Sequence, residues 1–104
     1  MMNYRIVAGD DGLLSPFQGR NASFSVHIPC SPNITKSDWH RRFEENVVLP
    51  LGGRPHWGKM YSVPHADARK MYPKTSWERF ERIRKDVDPY DIFLNPHMRG
   101  LLHT

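Results

Sequence analysis

The chain is expected to form an α+β domain in which antiparallel strands are covered by two or three helices, an expectation that rests on three observations. Two short segments, Tyr4 to Ala8 and Ser23 to Ile28, alternate side-chain character with a period of two. Further on, apolar residues recur every three or four positions, most clearly from Trp77 to Val87. Nine prolines and seven glycines break the chain between these segments into short elements and many loops. At 104 residues the sequence fits one small domain, 1–104, burying about two thirds of the surface its unfolded chain exposes.

In the first strand Tyr4, Ile6 and Ala8 share one face, which leaves Arg5 on the other. Gly9-Asp10-Asp11-Gly12 ends it with turn-forming residues, and Leu13 to Gly19 is expected as a loop folded back on the core. In the second strand Phe24, Val26 and Ile28 turn one way. Ser23, Ser25 and His27 turn the other, until Pro29 removes a ladder donor. A helix follows from Ile34-Thr35, with Thr35 as N-cap, Asp38 three residues on and Ile34 stapled against Trp39. Trp39, Phe43 and Val47 form its apolar stripe, Pro50 ends it, and Gly52-Gly53 make a turn.

A shorter helix is expected over Pro64 to Met71, stopped by Pro73. The best-defined helix runs from Trp77 to about Val87, with Thr75 and Glu78 in capping-box spacing and Trp77, Phe80, Ile83 and Val87 on its inner side. Glu78 with Arg82 and Glu81 with Lys85 make acid-before-base pairs on its outer face. Asp88-Pro89 ends the helix. The apolar tail Ile92-Phe93-Leu94-Asn95-Pro96 is expected to dock against the body.

Composition removes several function classes. The net charge is +4, but acids and bases alternate, and the densest basic stretch, Arg79 to Lys85, contains Glu81. A solvated helix face explains that stretch better than a phosphate-binding stripe, so no nucleic-acid partner is expected. No apolar run approaches the roughly 20 residues of a membrane span, and Met1 to Gly9 lacks the apolar centre of a secretory signal. The expectation is a soluble, cytoplasmic chain. Cys30 is the single cysteine, so no intramolecular disulfide forms. The six histidines, at 27, 40, 56, 65, 97 and 103, never fall as a pair on one helix, so no metal site is expected. Ser15, Ser23, Ser25 and Cys30 lie in no nucleophile elbow, and the glycines spell neither a dinucleotide fingerprint nor a P-loop.

What remains is Arg54-Pro55-His56-Trp57-Gly58-Lys59, which sets an imidazole, an indole, a glycine and a lysine behind the Gly52-Gly53 turn. Glycine would let a flat ligand approach the backbone, and Lys59 could aim a cation at negative charge on it. The competing reading is a buried Trp57 beside a solvated Lys59. Arg5, His27 and Lys59 each leave the apolar face of their element, a pattern that fits both a ligand-facing wall and ordinary surface exposure.

The same hexapeptide resembles the motif near the C-terminus of the aldonolactone oxidases, flavoproteins of the vanillyl-alcohol-oxidase type that include the sugar-1,4-lactone oxidases and alditol oxidases. The likeness extends to Arg5 followed by Gly9-Asp10-Asp11 and Leu14-Ser15-Pro16, then Met71-Tyr72-Pro73, Asp88-Pro89 and Phe93-Leu94-Asn95-Pro96. These words keep the family's order and cover Asn3 to Leu102. The resemblance implies a C-terminal part of such an oxidase, from its substrate or cap domain, with the FAD-binding domain absent. It further implies that Met1-Met2 begins inside what was a longer reading frame.

Chemically, the resemblance implies hydride transfer from a carbinol carbon of a sugar lactone or polyol to FAD. Arg5 and His27 would bind substrate, and His27 would help remove the hydroxyl proton. His56, Trp57, Gly58 and Lys59 would face the flavin, with Lys59 favouring negative charge on it. The family tends to place glutamate where this chain has Asn3, an Arg-Asp-Ser triplet where it has Arg20-Asn21-Ala22, and a polar residue at Pro29. An isolated chain of this kind is expected to be inactive, to need the missing FAD-binding domain as partner, and to self-associate through uncovered apolar surface. The alternative is a small stand-alone interaction module that has kept the fold and lost the chemistry.

Overall fold

The computed structural model describes residues 3–27 and 36–103, with Lys36 and Ser37 described as backbone alone. Two compact units divide the chain, one ending at Ser62 and the other beginning at Val63. Among the described residues the class is α+β, a two-stranded antiparallel sheet and four α-helices.

In the first unit, β1 (Asn3–Ala8) pairs with β2 (Ala22–His27) in a register that sets Asn3 opposite His27 and Ala8 opposite Ala22. Alternation then gathers Tyr4, Ile6, Phe24 and Val26 on one face, where the Tyr4 and Phe24 rings stack with centroids 5.2 Å apart. That face is not covered by helices as the sequence suggests, because Ile6 is 80% and Phe24 62% exposed. Between the strands the chain makes a closed loop. Asp10 bridges to Gln18 in parallel, and the Gly19 amide donates to the Asp10 carbonyl at 3.0 Å. At its base Gly9 lies so close to Arg20 that a β-carbon would fall 1.4 Å from the Arg20 carbonyl oxygen, so only glycine fits.

Helix α1 (Lys36–Phe43) runs without a break into a π-helical turn, Glu44–Val48, closed by the Leu49 amide donating to the Glu44 carbonyl at 2.9 Å. The helical path thus stops just before Pro50, where the imino acid requires it. Trp39 stacks on Phe43 at 5.5 Å, although Trp39 and Val47 stay largely exposed. The cap and staple expected at Thr35 and Ile34, and the positions Ile28, Pro29 and Cys30, lie outside the described residues.

The second unit holds α2 (His65–Lys70), α3 (Lys74–Val87) and α4 (Pro96–Leu102), with α2 packed on both others. Pro64 and Pro73 stand immediately before α2 and α3, where a missing amide proton costs nothing. Arg69 ties the three helices together. Its guanidinium lies 5.1 Å over the Trp77 ring and donates to the Leu101 and Leu102 carbonyls, while its own carbonyl accepts the Trp77 indole proton at 2.9 Å. Tyr72, Trp77, Leu94, Leu101 and Leu102 are buried around it.

Four expectations need correction here. Helix α3 begins at Lys74, so Thr75 lies inside its first turn and no capping box forms. Its inner side is only half apolar, because Val87 is 75% and Ile83 45% exposed, while Arg84 turns inward. Arg84 grips Glu81 with two 2.9 Å hydrogen bonds and Asp91 with one of 2.6 Å. On the outer face Lys85 reaches Glu81 at 3.8 Å, and Glu78 pairs with Lys74 at 3.6 Å rather than with Arg82. Of the expected docking tail only Leu94 is buried, and Ile92 and Phe93 point outward.

Helix α4 was not anticipated, yet its start is written in Asn95-Pro96. The Asn95 side chain accepts the Met98 amide at 2.8 Å and proline occupies the first helical position. The link from α3 is held by Asp88, buried at the helix end, whose carboxylate accepts the Ile92 and Phe93 amides at 2.8 and 3.0 Å. Among the described residues no helix is long and apolar enough to cross a membrane.

Asp88→Ala should therefore destabilise the fold by about 2–3 kcal/mol in urea unfolding, since it strands two amides and removes a neighbour of Arg84. Asp86→Ala, on the exposed side, should stay within about 0.5 kcal/mol. The Arg84 hydrogen bonds, supported by its charge, also hold the Glu81 and Asp91 carboxyls below their ordinary range. Carboxyls depressed on folding stabilise above their unfolded pKa and lose that contribution as pH falls through the folded one. Acid unfolding followed by circular dichroism should accordingly move to higher pH in Arg84→Ala.

Candidate functional site

The polar face of the hairpin assembles several chemical groups by register alone. Asn3 stands opposite His27, Arg5 opposite Ser25 and Val7 opposite Ser23, all on the face away from Tyr4 and Phe24. Arg5 and His27 are thus diagonal neighbours, about 7–8 Å apart at the backbone and within joint reach of one small ligand. Both side chains are exposed. The Ser23 hydroxyl is buried beside them with no hydrogen-bond partner. This face presents a cation, an imidazole, an amide and two hydroxyls, a set suited to the oxygens of a polyhydroxy compound. The serines and Asn3 were not counted as site residues from sequence, although the pairing of the two alternating strands implies their position.

The hexapeptide Arg54–Lys59 divides into two roles. Arg54 donates to the Gln18 carbonyl at 2.7 Å and to that of Pro16 at 3.4 Å, and the Trp57 indole donates to the Leu14 carbonyl at 2.6 Å. Together with Arg20, which donates to the Gly52 carbonyl, these bonds clip the closed loop onto the turn at Gly52, where φ is +68°. Trp57 also meets the edge of Tyr61, whose burial pushes its hydroxyl pKa up. The rest of the motif faces outward. His56 Nδ1 accepts the Gly58 amide at 3.0 Å and the Lys59 amide donates to the His56 carbonyl at 3.0 Å, a tight turn that leaves Lys59 exposed. No hydrogen bond or ion pair links Lys59 to Arg5 or His27 among the described residues.

A cleft of about 540 Å³ in this unit is lined by Phe17, Phe24, Val26, Phe43 and Val47, and also by Ser23 and Ser25 of the polar face. Of the sequence-derived site residues only His56 borders it. Its walls are chiefly apolar, and the two arginines on it, Arg20 and Arg54, are engaged with backbone carbonyls. The cleft thus borders the Ser23 and Ser25 side of the polar hairpin face, while Arg5 and His27 stand outside its lining.

Residues 2–101 match the family model described as D-arabinono-1,4-lactone oxidase. The chain belongs to the D-arabinono-1,4-lactone oxidase family. It is 32% identical to an L-gulonolactone oxidase of Bos taurus over 95% of this chain, and 34% identical to an L-gulono-1,4-lactone dehydrogenase of Mycobacterium tuberculosis over 94%. An alditol oxidase of a Streptomyces species is 30% identical over 94%. The chain spans only 22 to 23% of the length of these three relatives. Three residues within the matched span are structural in this chain. Tyr72 packs edge-on against Trp77 at 5.9 Å, Asp88 clamps two amides, and Asn95 caps α4.

Trp57→Phe keeps the ring and deletes one donor, leaving the Leu14 carbonyl unpaired by the indole. A loss of about 1 kcal/mol is expected, together with faster amide exchange confined to residues 10–19.

Proposed function

We propose that this chain is the C-terminal, substrate-facing part of an FAD-dependent sugar-1,4-lactone or alditol oxidase, with the FAD-binding elements supplied by a separate part of the enzyme. The observation that supports this most is the family match over residues 2–101 in a chain whose Arg5 and His27 share one polar hairpin face. The residues present suit one edge of a flavin. The exposed turn at His56–Lys59 offers an imidazole and a cation around a glycine, and its outward side leaves room for a flat partner.

When bound, FAD would supply the hydride acceptor. Arg5 would hold substrate oxygens by charge-assisted hydrogen bonds, orienting the carbinol carbon. One imidazole nitrogen of His27 would take the hydroxyl proton as the carbon–hydrogen bond breaks. Lys59 would favour negative charge at the flavin pyrimidine edge, and Trp57 would hold the Lys59 turn in place through its bond to Leu14. Asn3, opposite His27, can accept and donate hydrogen bonds but brings no charge, so substrate orientation rests chiefly on Arg5.

The isolated chain should purify colourless, inactive and self-associated through the Tyr4, Ile6 and Phe24 face, as read by absorbance and light scattering. Flavin bound at near one-to-one would overturn this. Adding the separately expressed FAD-binding part of a family member should restore lactone-dependent dye reduction. Lys59→Ala and Arg5→Ala should each lower that rate by about a hundredfold, the scale of losing one electrostatic contact to the reacting groups. Rates unchanged by both substitutions would sink the assignment.

A further inference from the structure

The second unit contains a pair of histidines that the oxidase reading does not use. His65 opens α2 and His97 lies in the first turn of α4, with His65 Nε2 and His97 Nδ1 3.3 Å apart. Their spacing of 32 residues explains why no helical histidine pair is visible in the sequence. The rings are inclined at 72° with centroids 5.0 Å apart. That separation exceeds the nitrogen spacing by less than one ring diameter, so the two ring axes converge at an angle rather than meeting end to end. Close packing holds them there. A β-carbon on Gly100 would lie 2.5 Å from His65 Nδ1, so glycine allows α4 to press directly on the His65 ring.

Imidazole nitrogens bind zinc at about 2.0–2.1 Å, so two of them on a tetrahedral ion stand about 3.3–3.4 Å apart. The observed spacing has that value without any movement of the backbone. We propose that His65 Nε2 and His97 Nδ1 form an open two-histidine site for a borderline divalent transition-metal ion of the zinc type. To bind the ion, the ring that donates in this contact carries its proton on its other nitrogen instead, leaving His65 Nε2 and His97 Nδ1 both unprotonated. Among the described residues no group of three or more histidine, cysteine or carboxylate side chains assembles, so solvent completes the coordination. His97 is exposed and His65 half-buried, which gives the ion a path from solvent and one ligand anchored in the packing. A bound ion joins the first turns of α2 and α4 and so stabilises the second unit.

The test is titration of the untagged chain with zinc chloride in a non-chelating buffer, by calorimetry and by unfolding temperature. One ion per chain is expected, with a zinc-dependent rise in the unfolding temperature. His65→Ala and His97→Gln should each weaken binding by about tenfold or more, and His97→Gln, altering an exposed side chain, should keep the wild-type circular dichroism. His103→Ala should bind as the parent does. Zinc binding that survives in His97→Gln, or no binding below millimolar zinc, overturns the proposal. Neither readout depends on flavin or lactone, so the outcome is independent of the oxidase reading.

Discussion

Among the described residues of the first unit none is buried as a whole, and the other features of that unit follow from this constraint. A lone two-stranded hairpin is at best marginally stable in water, because it has one apolar face and nothing to press it against. The unit compensates with hydrogen bonds. Arg20, Arg54 and Trp57 reach across 32, 36 and 43 residues of sequence to a backbone carbonyl, binding the closed loop and the Gly52 turn together without a hydrophobic centre. The second unit is organised the other way, around Trp77, with Arg69 laid over the ring and its donors on the end of α4. The residues proposed for substrate and flavin lie wholly in the part that lacks a core, so their ordering depends on whatever covers Tyr4, Ile6 and Phe24.

This contrast explains which parts of the fold were legible beforehand. The strands could be read because a period of two has no competing interpretation, and their polar and apolar faces came out as the alternation implies. Burial could not be read, since periodicity says which residues share a face and not what lies over it. In α3 the apolar stripe Trp77, Phe80, Ile83, Val87 competed with a charged one, and Arg84 turned inward because Glu81, Asp88 and Asp91 converge there. Three carboxylates around one guanidinium outweigh the burial of two aliphatic side chains at a helix end. The start of α4 was missed for a simpler reason. Asn95-Pro96 closes an apolar run in the sequence, and the same pair is a helix entry.

The site was legible in the same partial way. Arg5 and His27 fall on one face because odd-numbered residues of two in-register strands must do so, and that much follows from alternation and pairing. The hexapeptide held a mixture that sequence could not separate. Arg54 and Trp57 serve the scaffold, and His56 to Lys59 form the exposed turn. The histidine pair across α2 and α4 depends on a packing contact that no local spacing encodes.

The close approach of Gly9 to Arg20 has a further consequence for how such a hairpin tolerates change. The chain crosses itself at that point, so residues 10–19 hang from a narrow neck and the strands on the other side are already in register. A length change distal to the neck leaves the strand register intact and is felt instead at the Leu14, Pro16 and Gln18 carbonyls that Trp57 and Arg54 hold. A single residue added within either strand would instead turn every following side chain to the opposite face and separate Arg5 from His27. Insertions and deletions compatible with the polar face are thereby channelled into one segment, and the crossing glycine marks where that freedom begins.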